Sequence, residues 1–156
     1  MLVLLDATIL TNFAQVGLSA ALKELWGDQV CTTAEVLSEY ESGTRTAGLP
    51  PLSWKELSIL ILTPDEQDLA SNLFSRLGVG ERTCLAVAIR RGALLATDDR
   101  SARHAAKRNS IPVIGTLGIL RRCVERGLFS QPEAQTFLED MIAAGYYSPT
   151  RSLKDE

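Results

Sequence analysis

The chain has 156 residues, 46% apolar and 22% charged, with a net charge of −3. Such a length suits one domain that buries a core without disulfide or metal staples, and the composition excludes a disordered, fibrous or low-complexity protein. The negative balance excludes nucleic-acid binding through bulk positive charge, so any such contact must be local.

In chain order, LVLL (2–5) is a short continuous apolar run, as expected of a strand buried on both faces, and it stops at Asp6. QVCT (29–32) is a weaker strand, and TAEVLSEYE (33–41) carries a helical stripe of Val36, Leu37 and Tyr40. Residues 42–54, from Ser42 to Trp54, are rich in Gly, Thr and Pro and predict a mobile loop. SILILT (58–63) is another weak strand. Thr63, Pro64 and Glu66 then supply an N-cap, an N1 proline and a capping-box acid for a helix over 64–77. A further helix runs from near Gly80 to a C′ glycine at Gly92.

ALLA (93–96) is a buried strand, followed by a helix over 99–109, the strand PVIG (112–115) and a helix over 117–126. Ser130, Pro132 and Glu133 open a last helix that stops at Gly145. Strands alternating with helices predict an α/β fold with a mostly parallel sheet, in a single domain over 1–156. Cys31, Cys84 and Cys123 are odd in number and have no ligand-type spacing, as in a reducing, cytoplasmic setting. MLVLL lacks a basic n-region, and SILIL is far too short to span a bilayer, so no membrane association is expected.

Two strands deliver carboxylates at their C-terminal ends: Asp6 after LVLL, and Asp98 and Asp99 after ALLAT. That edge of an open α/β sheet is where ligands bind. Capping is the plain alternative, with Asp6 or Thr8 capping the helix after the first strand and Asp98 the helix after ALLAT. Glu81 stands in a first helical turn, where the dipole favours an acid. It also shares the core-facing side with Cys84, Leu85 and Ala88. In the earlier helix Glu39 and Glu41 flank the apolar stripe, Glu35 points away, and periodicity does not choose between the flanking pair.

Four acids from separate elements would repel one another unless a hard divalent cation neutralised them. An all-oxygen set in a chain with one His favours Mg²⁺ or Mn²⁺ over zinc. Such a cluster can bind a phosphodiester oxygen, activate water and stabilise the leaving oxygen. Just beyond the acid pair, Arg100, Arg103, His104, Lys107 and Arg108 fall on one helical face. That face is either simply solvated or a track for phosphates.

Over roughly residues 2–120 the sequence resembles the PIN-domain nucleases, the family that includes the VapC-type toxins. The resemblance lies in LVLLDATILTNFAQVG, AEVLSEYESG, GERTCLAVAIRRGALLATDD and IPVIGTLGIL, and most of all in a GE helix, a DD-R turn and a GTLG segment in that order. It implies a three-layer α/β/α fold whose catalytic, metal-binding acids are Asp6, Glu39, Glu81 and the Asp98/Asp99 pair. A T-x-D pattern points to Asp99, whereas the strand-end position points to Asp98. Thr8, Asn12 and Thr97 would hold water or phosphate beside them. Tyr40 departs from the aliphatic residue more usual there, and a C-terminal helical extension from about residue 121 lies outside the resemblance.

The activity implied is a Mg²⁺- or Mn²⁺-dependent endoribonuclease acting on RNA. At its finest the resemblance implies a toxin, inhibited by a small antitoxin protein and assembled as a homodimer. The alternatives are a Mg²⁺-binding regulatory module and a catalytically silent PIN scaffold for protein contacts. A phosphoryl-accepting module would place a lysine near a late strand end, and PVIGTLG has none.

Overall fold

The computed structural model describes residues 1–51, 57–73 and 76–154. In order these form β1 (Leu2–Leu5), α1 (Ala7–Gln15), α2 (Ser19–Trp26), β2 (Val30–Thr33), α3 (Ala34–Thr46), β3 (Ser58–Leu60) and α4 (Pro64–Leu73). Then follow α5 (Val79–Arg91), β4 (Ala93–Ala96), α6 (Arg100–Arg108), β5 (Val113–Ile114), α7 (Thr116–Glu125) and α8 (Gln131–Ala143). The strands make one parallel sheet in the order β3-β2-β1-β4-β5, flanked by helices, as the alternation of strand and helix predicts.

β1 and β4 are apolar along their length because helices cover them, and β2 is as buried although it ends in Thr32 and Thr33. Leu4, Leu5 and Leu95 are fully enclosed, each contributing roughly 1.5–3 kcal/mol over exposure. Helix α5 packs on β1, β2 and β4 and against α3, α4 and α6, while α7 packs on α2 and α8. Its C-terminus closes on Gly92 in the left-handed conformation (φ +68°), which a residue with a Cβ resists. Among the described residues no helix is long and apolar enough to cross a membrane.

The two ends of α4 and α5 are tied by charge. Arg91 donates two hydrogen bonds of 2.8 Å to the buried Glu66 carboxylate and holds it down to about 2. Glu66 also closes the expected capping box, accepting from the Thr63 amide at 2.8 Å while its own amide donates to the Thr63 hydroxyl at 3.2 Å. Ser130 and Glu133 form the same box at the start of α8.

Three expectations change. Residues Ser42 to Thr46 are not loop but the last turns of α3, while 52–54 of that segment lie outside the described residues. Gly43 is there for proximity rather than freedom, since a Cβ on it would stand 2.6 Å from Leu49 Cδ1. The strand expected over 58–63 is limited to Ser58–Leu60 at the sheet edge. The helix expected over 64–77 is described as Pro64–Leu73, with residues 74 and 75 outside the described set.

Topology sets the position of the acids. β1 sits between β2 and β4, so the chain builds the sheet outward on one side and then crosses β1 to build the other. This crossing is the switch point of a doubly wound sheet, where a crevice opens at the strand C-termini. Leu5 pairs with Ala96, which puts Asp6 level with Thr97 and lets the Asp6 amide donate to the Ala96 carbonyl at 3.1 Å.

Candidate active site

Asp6 is both the N-cap of α1 and a buried carboxylate, 2% exposed. Its Oδ1 accepts from the Thr8 amide (2.9 Å), the Thr8 hydroxyl (2.5 Å) and the Ile9 amide (3.2 Å), and its Oδ2 accepts from the Thr97 hydroxyl. Burial nevertheless dominates and pushes the carboxyl up to about 7, with nearby Asp98 adding to the rise. Thr8 and Thr97, expected to hold water or phosphate, both give their hydroxyl protons to Asp6. Thr8 Oγ1 also accepts from the Asp98 amide at 3.0 Å, and Thr97 Oγ1 from the Asp99 amide at 3.0 Å.

The adjacent aspartates divide their work. Asp99, not Asp98, caps α6, accepting from the Ala102 amide at 2.8 Å. Asp98 turns instead to the start of α7, where its Oδ1 accepts from the Thr116 amide (2.8 Å) and its Oδ2 from the Thr116 hydroxyl (2.5 Å) and Asn12 Nδ2 (3.0 Å). An anion at a helix N-terminus is stabilised there by unpaired amides and the helix dipole. Thr116 and Tyr146 escaped the sequence analysis. Thr116 lies inside the GTLG segment that carried the resemblance, and Tyr146 lies beyond its reach. Burial, and Asp98 beside it, hold the Tyr146 hydroxyl above its ordinary range.

Glu39 reaches from α3 to the first turn of α5 and accepts from the Gly80 amide at 2.8 Å. Glu81 bends back over the same turn toward the Gly78 and Glu81 amides. Burial raises its carboxyl above the usual range, and the nearby carboxylates of Glu39 and Asp99 add to this. Cys84, buried and one turn further along α5, feels both Asp6 and Glu81. Three glycines make room for these acids. A Cβ on Gly78 would lie 2.5 Å from Glu81 Oε2, on Gly80 2.8 Å from Glu39 Oε2, and on Gly115 2.7 Å from Asp98 Oδ1.

Asp98 and Asp99 open onto a cleft of about 800 Å³, whose other wall carries Arg100, Arg103, His104 and Lys107 of α6. The cationic face follows from the helix itself, because Ala102, Ala105 and Ala106 are buried against the body. Arg103 is also structural, donating to the Thr97 carbonyl at 3.0 Å. Thr8 and Asn12 line the cleft from α1, and Tyr146, Tyr147 and Pro149 from the segment after α8. Arg108 does not line it, nor do Asp6, Glu39 and Glu81.

The donor chemistry fits a hard divalent cation. Asp6 is a carboxylate raised by its burial and further by Asp98, as burial, Glu39 and Asp99 raise Glu81. A dication would offset that repulsion with oxygen ligands alone. Among the described residues, however, no three acidic, His or Cys side chains stand close enough together to hold one ion as they are. Each carboxylate is instead turned to a local hydroxyl or amide: Asp6 to Thr8 and Thr97, Asp98 to Thr116, Asp99 to Ala102 and Glu39 to Gly80.

Neither the curated proteins nor the solved structures give a match to this chain. A family model does. PIN domains are in general nucleases, hydrolases that use divalent metal ions. The family model described as a PIN domain matches residues 2–155, including the C-terminal segment beyond the resemblance noted above, and the chain belongs to that family.

Proposed function

We propose that this PIN domain is a Mg²⁺- or Mn²⁺-dependent endoribonuclease. The observation that carries the reading is the union, in one cleft at the β1/β4 switch point, of the Asp98/Asp99 strand end with the cationic face of α6. Asp6, Glu39, Glu81 and Asp98, with Asp99 at the cap, would hold the metal. When bound, that ion supplies charge neutralisation at a phosphodiester and a lowered pKa for attacking water.

The chain's own groups do the rest. Thr8 and Thr97 orient Asp6, Thr116 and Asn12 orient Asp98, and Arg100, His104 and Lys107 hold the phosphates that flank the scissile bond. Arg103 keeps the strand end and the start of α6 in register through Thr97. As the toxin of a toxin-antitoxin pair in the cytoplasm, the enzyme would be held inactive by a small protein covering the cleft. A homodimer is the assembly we expect.

The test is cleavage of varied single-stranded RNAs with Mg²⁺ or Mn²⁺, with and without chelator, by wild type, Asp6→Asn and Glu81→Gln. Wild-type cleavage that the chelator and both substitutions abolish supports the reading. Cleavage surviving both substitutions contradicts it, and a wild type inert toward RNA favours the silent scaffold.

A further inference from the structure

Tyr146 and Tyr147 are neighbours with opposite surroundings. Tyr146 is half-buried with its hydroxyl toward Asp98, Thr116 and Ser148, whereas Tyr147 is 94% exposed on the rim of the same cleft. The segment that carries them is tied down on both sides. At its start the Tyr146 amide donates to the Met141 carbonyl at 2.9 Å, where the chain leaves α8. Further on, Ser148 Oγ donates to the Thr150 carbonyl at 2.5 Å, Gln135 Nε2 to the Arg151 carbonyl at 2.8 Å, and the Leu153 amide to Gln135 Oε1 at 2.9 Å. Leu153 itself is buried in the core. The exposed ring therefore stands on a backbone tied to the body, in the same cleft as the cations of α6.

An exposed aromatic face beside a cationic track is how proteins hold single-stranded nucleic acid: cations follow the phosphates, and the ring takes an unpaired base. Resting on the ribonuclease reading of the cleft, we propose that Tyr147 is a base-stacking platform that positions one unpaired nucleobase of the RNA beside the acids. Tyr146, pinned next to Asp98, fixes the distance between that base and the strand end. A base inside a duplex has both faces stacked on its neighbours and none to offer, so the platform favours single-stranded over duplex RNA.

The experiment uses a short single-stranded RNA carrying 2-aminopurine, titrated with the full chain in chelator so that no cleavage occurs. Wild type should quench the fluorophore on binding. Tyr147→Ala should bind roughly 10-fold more weakly and lose the quench, while Tyr147→Phe and Tyr147→Trp keep both. Binding of blunt duplex RNA should be the same for all four proteins. An unchanged melting temperature separates these effects from misfolding. Tyr147→Ala binding within about twofold of wild type with the quench intact, or Tyr147→Phe behaving like Tyr147→Ala, overturns the platform. If Lys107→Ala still weakens binding in that case, the cleft reading survives alone; if wild type binds no RNA, both fall.

Discussion

Asp98 and Asp99 are neighbours in the chain, yet their carboxylates serve different helices: Asp98 accepts from the Thr116 amide that begins α7, and Asp99 from the Ala102 amide in α6, each at 2.8 Å. One peptide unit thus separates a capping carboxylate from one turned into the cleft.

This division predicts different costs. Asp99→Ala should lower stability by about 1 kcal/mol and Asp99→Asn by much less, because Asn caps a helix nearly as well. Asp98→Ala leaves the buried Thr116 hydroxyl without its acceptor and Asn12 Nδ2 with the Thr116 oxygen alone, and should cost roughly 1–3 kcal/mol. Urea unfolding of the three variants in chelator measures this ordering.

Asp6 should make metal-free stability fall with rising pH. Its carboxyl is pushed up from 3.8 to about 7 in the folded protein, so the folded state holds the proton more tightly than the unfolded one. The resulting stability is fully present below about pH 4 and is lost as pH rises through 7. Asp6→Asn should flatten this slope and be the more stable protein at pH 8 without metal. Added Mn²⁺ should narrow the gap by raising only the wild type, by about 1.4 kcal/mol at ten times its dissociation constant. Denaturant titrations at several pH values, with and without Mn²⁺, check both signs.

Gly80→Ala separates stability from metal binding. The new Cβ would meet only the flexible end of Glu39, at 2.8 Å, so the side chain moves and the fold is spared. Alanine in the first turn of α5 should change stability by less than about 1 kcal/mol, its helix propensity offsetting the Glu39 acceptor lost by the residue 80 amide. Mn²⁺ affinity should fall several-fold, as read by calorimetric titration.

The cleft assigns phosphate contact unequally along α6. Lys107 lines it and Arg108 does not. Lys107→Ala should therefore reduce the slope of log affinity for single-stranded RNA against log salt by about 0.7, whereas Arg108→Ala leaves it unchanged. Filter binding over a range of salt concentrations reads the slope.

Much of this was legible in the chain. β1 and β4 announce themselves as unbroken apolar runs because both faces are covered, and the acids that follow them are visible for the same reason. The capping aspartate was not legible, since adjacent carboxylates at a strand end are equivalent in sequence and only the backbone angle at residue 99 decides between them. The last turns of α3 were hidden by a Gly and two Thr that suggest a loop. Gly43 is a contact point for Leu49, and the Thr44 and Thr46 hydroxyls return to the carbonyls of Glu41 and Ser42 within the helix. Tyr40 departs from an aliphatic because its hydroxyl reaches the Pro50 carbonyl at 2.6 Å and ties the following segment to α3. The C-terminal wall of the cleft was out of reach because Tyr146 meets Asp98 only through tertiary packing.

If the acids around the β1 and β4 strand ends hold a divalent ion that cuts RNA, cleavage must depend on that ion and on Asp6. The Mn²⁺ dependence of the RNA cleavage rate, measured for wild type and Asp6→Asn in parallel, tests it most directly. Wild type should show a saturable rise with Mn²⁺, and the variant a loss of at least about 100-fold. A wild-type rate independent of Mn²⁺, or an Asp6→Asn rate equal to it, would contradict it.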